Sequence, residues 1–205
     1  MTGWGAAMRT AQITPGGTVA VIGCGGVGLN TIQGARHAGA GRIIAIDVAD
    51  RKLELAKVFG ATDTINSSEV DPVRQERTLT DRFGADVVID VTGKLAVTEQ
   101  MIAMTRRGGQ SIFVGMPGFE AMMTMPVQNS LISAQQTFRG CVYGGVDITT
   151  DIPLTELYRS GDLLLDELIS HRIALGEINE AFASMEDGEV ARSVVVFDTS
   201  DLASA

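Results

Sequence analysis

Thr18-Val19-Ala20-Val21-Ile22-Gly23-Cys24-Gly25-Gly26-Val27-Gly28 decides the fold. Five apolar or β-branched residues in a row predict a buried strand, and glycines spaced G-x-G-x-x-G directly after it predict a tight turn into a helix starting near Gly26. Gly23 suits the turn, Gly25 lets the backbone come close to a pyrophosphate, and Gly28 lets the helix pack against its strand. The helix then aims its unpaired N–H groups and the positive end of its dipole at phosphates. A second apolar run, Arg42 to Ile46, ends in Asp47. An acid there is placed to hydrogen-bond an adenosine ribose diol, which favours NAD over its 2′-phosphorylated form.

Working outward, apolar runs alternate with amphipathic ones in the rhythm of βαβ units. The predicted strands are Thr18 to Ile22, Arg42 to Asp47, Asp86 to Val91, Gln110 to Val114, Thr137 to Val142 and Ser193 to Phe197. Helices are predicted over Val27 to Ala38, Asp50 to Phe59, Asp71 to Phe83 with Pro72 in the first turn, and Lys94 to Thr105, the first two stopped by Gly39 and Gly60. Near-continuous apolar strands need helices on both faces. The fold class is therefore α/β, a doubly wound, mostly parallel Rossmann sheet. Asp90-Val91-Thr92-Gly93 and Val114-Gly115-Met116-Pro117 break into Gly or Pro at strand ends, along the carboxyl edge where such sheets bind ligands.

Composition narrows the partners. The 205 residues carry a formal charge of −9, with three Lys among sixteen basic residues, which argues against nucleic acid. No apolar run reaches the roughly 18 to 20 residues that span a bilayer and no secretory leader is visible, so a cytoplasmic protein without a membrane partner is expected. Two cysteines, Cys24 and Cys141, form neither a disulfide framework nor paired zinc spacings. With His37 in a helix and His171 in a loop, no metal ligand and no catalytic residue is assigned.

The stretches TGWGAA (Thr2 to Ala7), PGGTVAVIGCGGVGLN (Pro15 to Asn30), AGAGRIIAIDVADRKLELAKVFGATDTIN (Ala38 to Asn66), FVGMPG (Phe113 to Gly118), RGCVYGG (Arg139 to Gly145) and LDELISHRIALGEINEAFASMEDGEVARSVVVF (Leu165 to Phe197) resemble the medium-chain, zinc-dependent alcohol dehydrogenases. The chain is most similar to their class III, thiol-adduct formaldehyde dehydrogenase branch. The resemblance implies hydride transfer between nicotinamide and a zinc-bound alcohol or thiol-hemiacetal. It also implies cofactor contacts beyond Gly23, Gly25, Gly26, Gly28 and Asp47. Lys52 falls near the adenosine ribose, Val91 and Thr92 beside the ribose loops, and Val114, Gly115 and Met116 under the nicotinamide. Cys141 and Tyr143 match backbone positions on the carboxamide, Thr2 and Val27 residues behind the ring, and Arg192 a pyrophosphate-binding arginine.

The same resemblance implies that the family's catalytic domain, with the zinc ligands and proton relay, would lie before Met1. The chain then divides into a lead-in segment (1–14), an NAD-binding domain (15–150), C-terminal helices with a final strand (151–197) and a frayed tail (198–205). Such a chain is expected to be inactive alone and to expose an apolar wall around Thr2 to Ala7. An edge strand near Met122 to Pro126 is expected to make a homodimer, since an apolar edge needs covering. Apolar Ile178, Ala181, Phe182 and Met185 within Glu177 to Glu189 predict a helix with a solvated acidic face, and Arg106 and Arg107 suit a helix C-terminus. Two alternatives stay open: a non-catalytic NAD-binding or dimerisation module, and an S-adenosylmethionine-dependent methyltransferase, which also uses a Gly-rich turn and an acid on a ribose.

Overall fold

The computed structural model describes residues 1–147, 153–186 and 192–197. Helix α1 (Thr2–Gly5) runs into a wider π turn, Ala6–Thr10, and leads to β1 (Thr18–Ile22). Then come α2 (Gly26–His37), β2 (Arg42–Asp47), α3 (Asp50–Val58), β3 (Asp63–Asn66), α4 (Pro72–Leu79), β4 (Ala85–Asp90), α5 (Leu95–Met104), β5 (Thr105–Phe113) and β6 (Thr137–Gly140). Six parallel strands lie in the order β3-β2-β1-β4-β5-β6. That order is the doubly wound one, with its topological switch between β1 and β4.

Apolar residues of both strand faces are buried because helices cover the sheet on both sides. Val19, Val21, Ile43, Ala45, Val87 and Ile89 face one core with Leu29, Ile32 and Phe59. Ala20, Ile22, Ile44, Ile46 and Val88 face the other with Met101 and Met104. At α4, Asp71 caps the helix by accepting from the N–H groups of Val73 at 3.0 Å and Arg74 at 3.2 Å. Pro72, which has no N–H to leave unpaired, occupies the first turn.

Several expectations need correction. The chain after residue 153 forms α6 (Leu154–Ser160), β7 (His171–Ile173), α7 (Ile178–Glu186) and β8 (Ser193–Val195). β8 does not join the main sheet. It pairs in parallel with β7, so His171 opens a strand and is not in a loop. β3 went unforeseen because Asp63-Thr64-Ile65-Asn66 carries a single large apolar residue. Met122 to Pro126 forms no strand in the single chain.

The apolar wall at Thr2 to Ala7 is not exposed either. Trp4, Ala6 and Ala7 are buried, because the segment packs on α2 so closely that a methyl on Gly3 would lie 2.0 Å from the Val27 carbonyl oxygen. Arg106 and Arg107 do not serve the end of α5. Both belong to a bulged entry into β5, whose regular pairing starts at Gln110. The α5 carboxyl end is instead capped by Arg77, which donates through Nε and Nη2 to Ala103 O at 3.2 and 2.6 Å. Phe182 and Met185 of α7 are exposed. Residues 187–189 of that acidic stretch, the domain boundary at 150 and the tail 198–205 lie outside the described residues.

Candidate nucleotide-binding site

The loops leaving β1, β2, β4 and β5 meet at the carboxyl edge over the switch point. Gly23 donates its N–H to Ile46 O at 2.8 Å, and Cys24 donates its own to Asp47 Oδ2 at 2.7 Å. Asp47 Oδ1 accepts from the N–H groups of Val48 at 2.8 Å and Ala49 at 3.2 Å. The carboxylate thus ties the glycine turn to β2, a role the sequence did not reveal. Asp47 itself stays partly exposed.

Each glycine of the turn has a separate geometric reason. Gly23 sits at φ +98, in the left-handed region, where a methyl would also lie 2.8 Å from Thr92 Cγ2. A methyl on Gly28 would approach Gly23 O to 1.8 Å, so the helix meets the turn only without a side chain. Gly25 is different. Nothing lies within 4 Å of where its methyl would be, and as N-cap of α2 it offers no side-chain cap, so the helix's first turn opens to solvent.

The β4 and β5 loops are locked by Asp90, which is 2% exposed. Its Oδ1 accepts from Thr92 N at 2.8 Å and Thr92 Oγ1 at 2.7 Å, and its Oδ2 accepts from Thr98 Oγ1 at 3.0 Å. A carboxylate accepting from the N–H two residues on is the Asx-turn signature, so the Asp-x-Thr spacing was the available signal. Gly93 and Gly115 bring the two loops into backbone contact, since a methyl on Gly115 would lie 2.0 Å from Gly93 N. Val91 and Thr92 border Gly23, Val114 is buried beneath, and Met116 projects outward, 83% exposed.

The remaining expected residues fall in two groups. Cys141 donates its N–H to Phe113 O at 2.8 Å, and its Sγ accepts from Thr10 Oγ1 at 3.2 Å. Tyr143 follows at φ 50, exposed, and Gly144 lies against the backbone of Thr2 and Gly5. The structure therefore brings Thr2, Val27 and the Cys141–Tyr143 turn to one flank of the glycine loop. Arg192 stands outside this contact cluster, ahead of β8. Its charge still acts at that flank, because burial first and then Arg192 lower the pKa of the Met1 ammonium. Lys52 lies on α3 and its charge reaches the Cys24 thiol.

Burial, with the nearby Asp47 carboxylate, pushes the Cys24 thiol well above its ordinary value, so it stays protonated and is a poor metal ligand. His37 packs against Trp4, ring centroids 5.1 Å apart and planes tilted by 45°, and His171 is exposed in β7. Among the described residues no three His, Cys, Asp or Glu side chains converge, and no helix is long and apolar enough to cross a membrane.

A protein-family profile described as zinc-binding dehydrogenase matches residues 26–156. An S-(hydroxymethyl)glutathione dehydrogenase of Photobacterium damsela subsp. piscicida is 40% identical over 198 residues, covering 95% of this chain and 53% of that protein. The protein of the same name in Escherichia coli O1:K1 is 38% identical over the same shares. Benzyl alcohol dehydrogenase from Acinetobacter calcoaceticus superposes with a TM-score of 0.90 at 32% identity, over 96% of this chain and 54% of the other. The chain thus spans about half the length of the curated relatives it matches. On its glycine turn, its strand order and these likenesses together, the chain belongs to the zinc-binding dehydrogenase family of medium-chain alcohol dehydrogenases.

Proposed function

We propose that this chain is the NAD-binding part of an alcohol or aldehyde oxidoreductase whose substrate is an alcohol or a thiol-hemiacetal. The observation that carries the reading is the bare cradle: an uncapped α2 N-terminus, open space over Gly25, and Asp47 at the end of the neighbouring strand. NAD, when bound, supplies the hydride acceptor. The α2 N–H groups hold its pyrophosphate. Asp47 accepts from the adenosine ribose and repels a 2′-phosphate, with Lys52 beside it.

Val91, Thr92 and Val114 to Met116 form the wall on the nicotinamide side. Thr2 and Val27 back the ring, the Cys141 and Tyr143 backbone orients the carboxamide, and Arg192 adds charge toward the pyrophosphate. The names of the relatives, which act on a hydroxymethyl thiol adduct and on benzyl alcohol, support the substrate class. A homodimer formed through Met122 to Pro126 belongs to the same reading. The described residues do not fit a catalytic zinc, since no three His, Cys, Asp or Glu side chains converge among them. That misfit favours a second reading, a chain that binds NAD without turning over by itself.

Calorimetry of the chain and its Asp47→Asn variant tests the cofactor assignment. The parent should prefer NAD to NADP, and the variant should lose about tenfold in NAD affinity, about 1.4 kcal/mol, with little change for NADP. Equal losses would mean that Asp47 only ties down the turn. Adding zinc and an alcohol to the NAD-loaded chain and following NADH absorbance tests the expectation that the chain is inactive alone. Turnover would overturn that expectation and the second reading with it.

A further inference from the structure

We propose a second anion site, on the opposite side of the sheet from the glycine turn, that takes a phosphorylated ligand. It lies where α4 turns into the amino end of β4. A depression of about 490 Å³ there is lined by Val73, Arg74, Arg77, Thr78 and Arg82, with no acid in its wall. In a chain of formal charge −9 this concentrates three of thirteen arginines in one hollow.

One of the three cations is fixed by main-chain carbonyls. Arg77, already fixed on Ala103 O through Nε and Nη2, also donates through Nη1 to Arg82 O at 2.9 Å, while the Arg82 N–H returns to Arg77 O at 2.6 Å. Asp81 and Arg82 both take left-handed φ values, 51 and 70, which non-glycine residues adopt only under constraint. The Arg77 guanidinium is therefore anchored on the strained turn from which the exposed Arg82 side chain leaves. Arg74 lines the same hollow and pairs with Asp71 at 3.6 Å, an exposed contact worth little. A phosphate oxygen cluster can bridge the three cations that line the hollow, since planar guanidinium forks match phosphate geometry in pairs. Phe83, 74% exposed and next in the chain, supplies a face on which a ring attached to the phosphate can stack.

The shared chemistry is a polyphosphate, and two sources carry it, free inorganic polyphosphate and a nucleoside triphosphate. The full chain is titrated calorimetrically with inorganic tripolyphosphate, alone and with saturating NAD. Binding should survive NAD and should fall about tenfold or more in an Arg74→Ala/Arg82→Ala double variant and in Arg74→Glu, at a position whose side chain is 88% exposed. It should also weaken as salt rises to about 0.3 M. Loss of binding on adding NAD, indifference to both arginine variants, or no binding at all would overturn the site. If the chain binds no NAD, the arginine variants still decide the matter, so the two readings fail separately. ATP binding more tightly than tripolyphosphate in the presence of NAD, with that advantage lost in Phe83→Ala, identifies a nucleotide source. Equal affinities identify the free anion.

Discussion

Asp90, at the carboxyl edge, and Glu76, beneath α4, are buried acids of one small domain that meet opposite circumstances. Asp90 accepts three hydrogen bonds and holds the β4 loop against the glycine turn. Glu76 is fully buried, with Thr80 and the Ala85 backbone beside its carboxyl, yet neither oxygen makes a hydrogen bond of good geometry. Burial pushes its pKa up to about 7, with the Arg77 guanidinium opposing the shift. One acid has been given donors because a loop must be positioned. The other faces mainly apolar burial, which favours its protonated form. Polar groups at the binding edge are thus tightly matched, while the α4 flank carries a cost.

The sharpest way to break this comparison is at the glycine turn. Gly28→Ala forces a methyl into Gly23 O, and because backbone cannot yield as a side chain does, the loss should be at least about 3 kcal/mol in urea unfolding, with NAD binding abolished. Asp90→Ala should come next, costing about 3 kcal/mol by stripping three donors of their acceptor. Glu76→Leu should go the other way. The Glu76 carboxyl has a higher pKa folded than unfolded, so its proton stabilises the fold fully below about 4.5 and that contribution drains away until the pH passes about 7. The parent should therefore lose up to about 3 kcal/mol across that window, at about 1.4 kcal/mol per pH unit, and the leucine variant should not. Urea midpoints between pH 4 and pH 8 check it. Destabilisation by both Asp90→Ala and Glu76→Leu at pH 8 would end the contrast between the two regions.

The binding edge was legible in the sequence because its demands are local. Thr18 to Ile22 and Arg42 to Asp47 were read with their observed ends, since continuous β-branched runs stopped by glycine or acid leave little choice. Gly23, Gly25, Gly28 and Asp47 likewise declare themselves by spacing. The roles of Asp90 and Thr98 were not read, as their meaning depends on a hydrogen bond across a loop and a helix. Glu76 was invisible for another reason: a charged residue on a polar helix reads as solvent-facing, and only tertiary packing turns it inward. The strand expected over Ser193 to Phe197 forms as β8, but its partner β7 was not legible, because His171-Arg172-Ile173 carries no period to detect. The missing strand at Met122 to Pro126 shows that an apolar run does not make a strand without a neighbour to pair with.

The C-terminal segment is joined to α2 by a reciprocal amide. Gln33 Nε2 donates to Leu164 O at 3.1 Å, and the Leu164 N–H donates to Gln33 Oε1 at 2.7 Å. In this exchange a side chain plays the part of a neighbouring strand, and it reads only main-chain atoms on the other side. The consequence is an unequal freedom to drift: at position 164 any residue with a free N–H keeps the clasp, whereas at position 33 even glutamate, acceptor at both oxygens, would sever half of it.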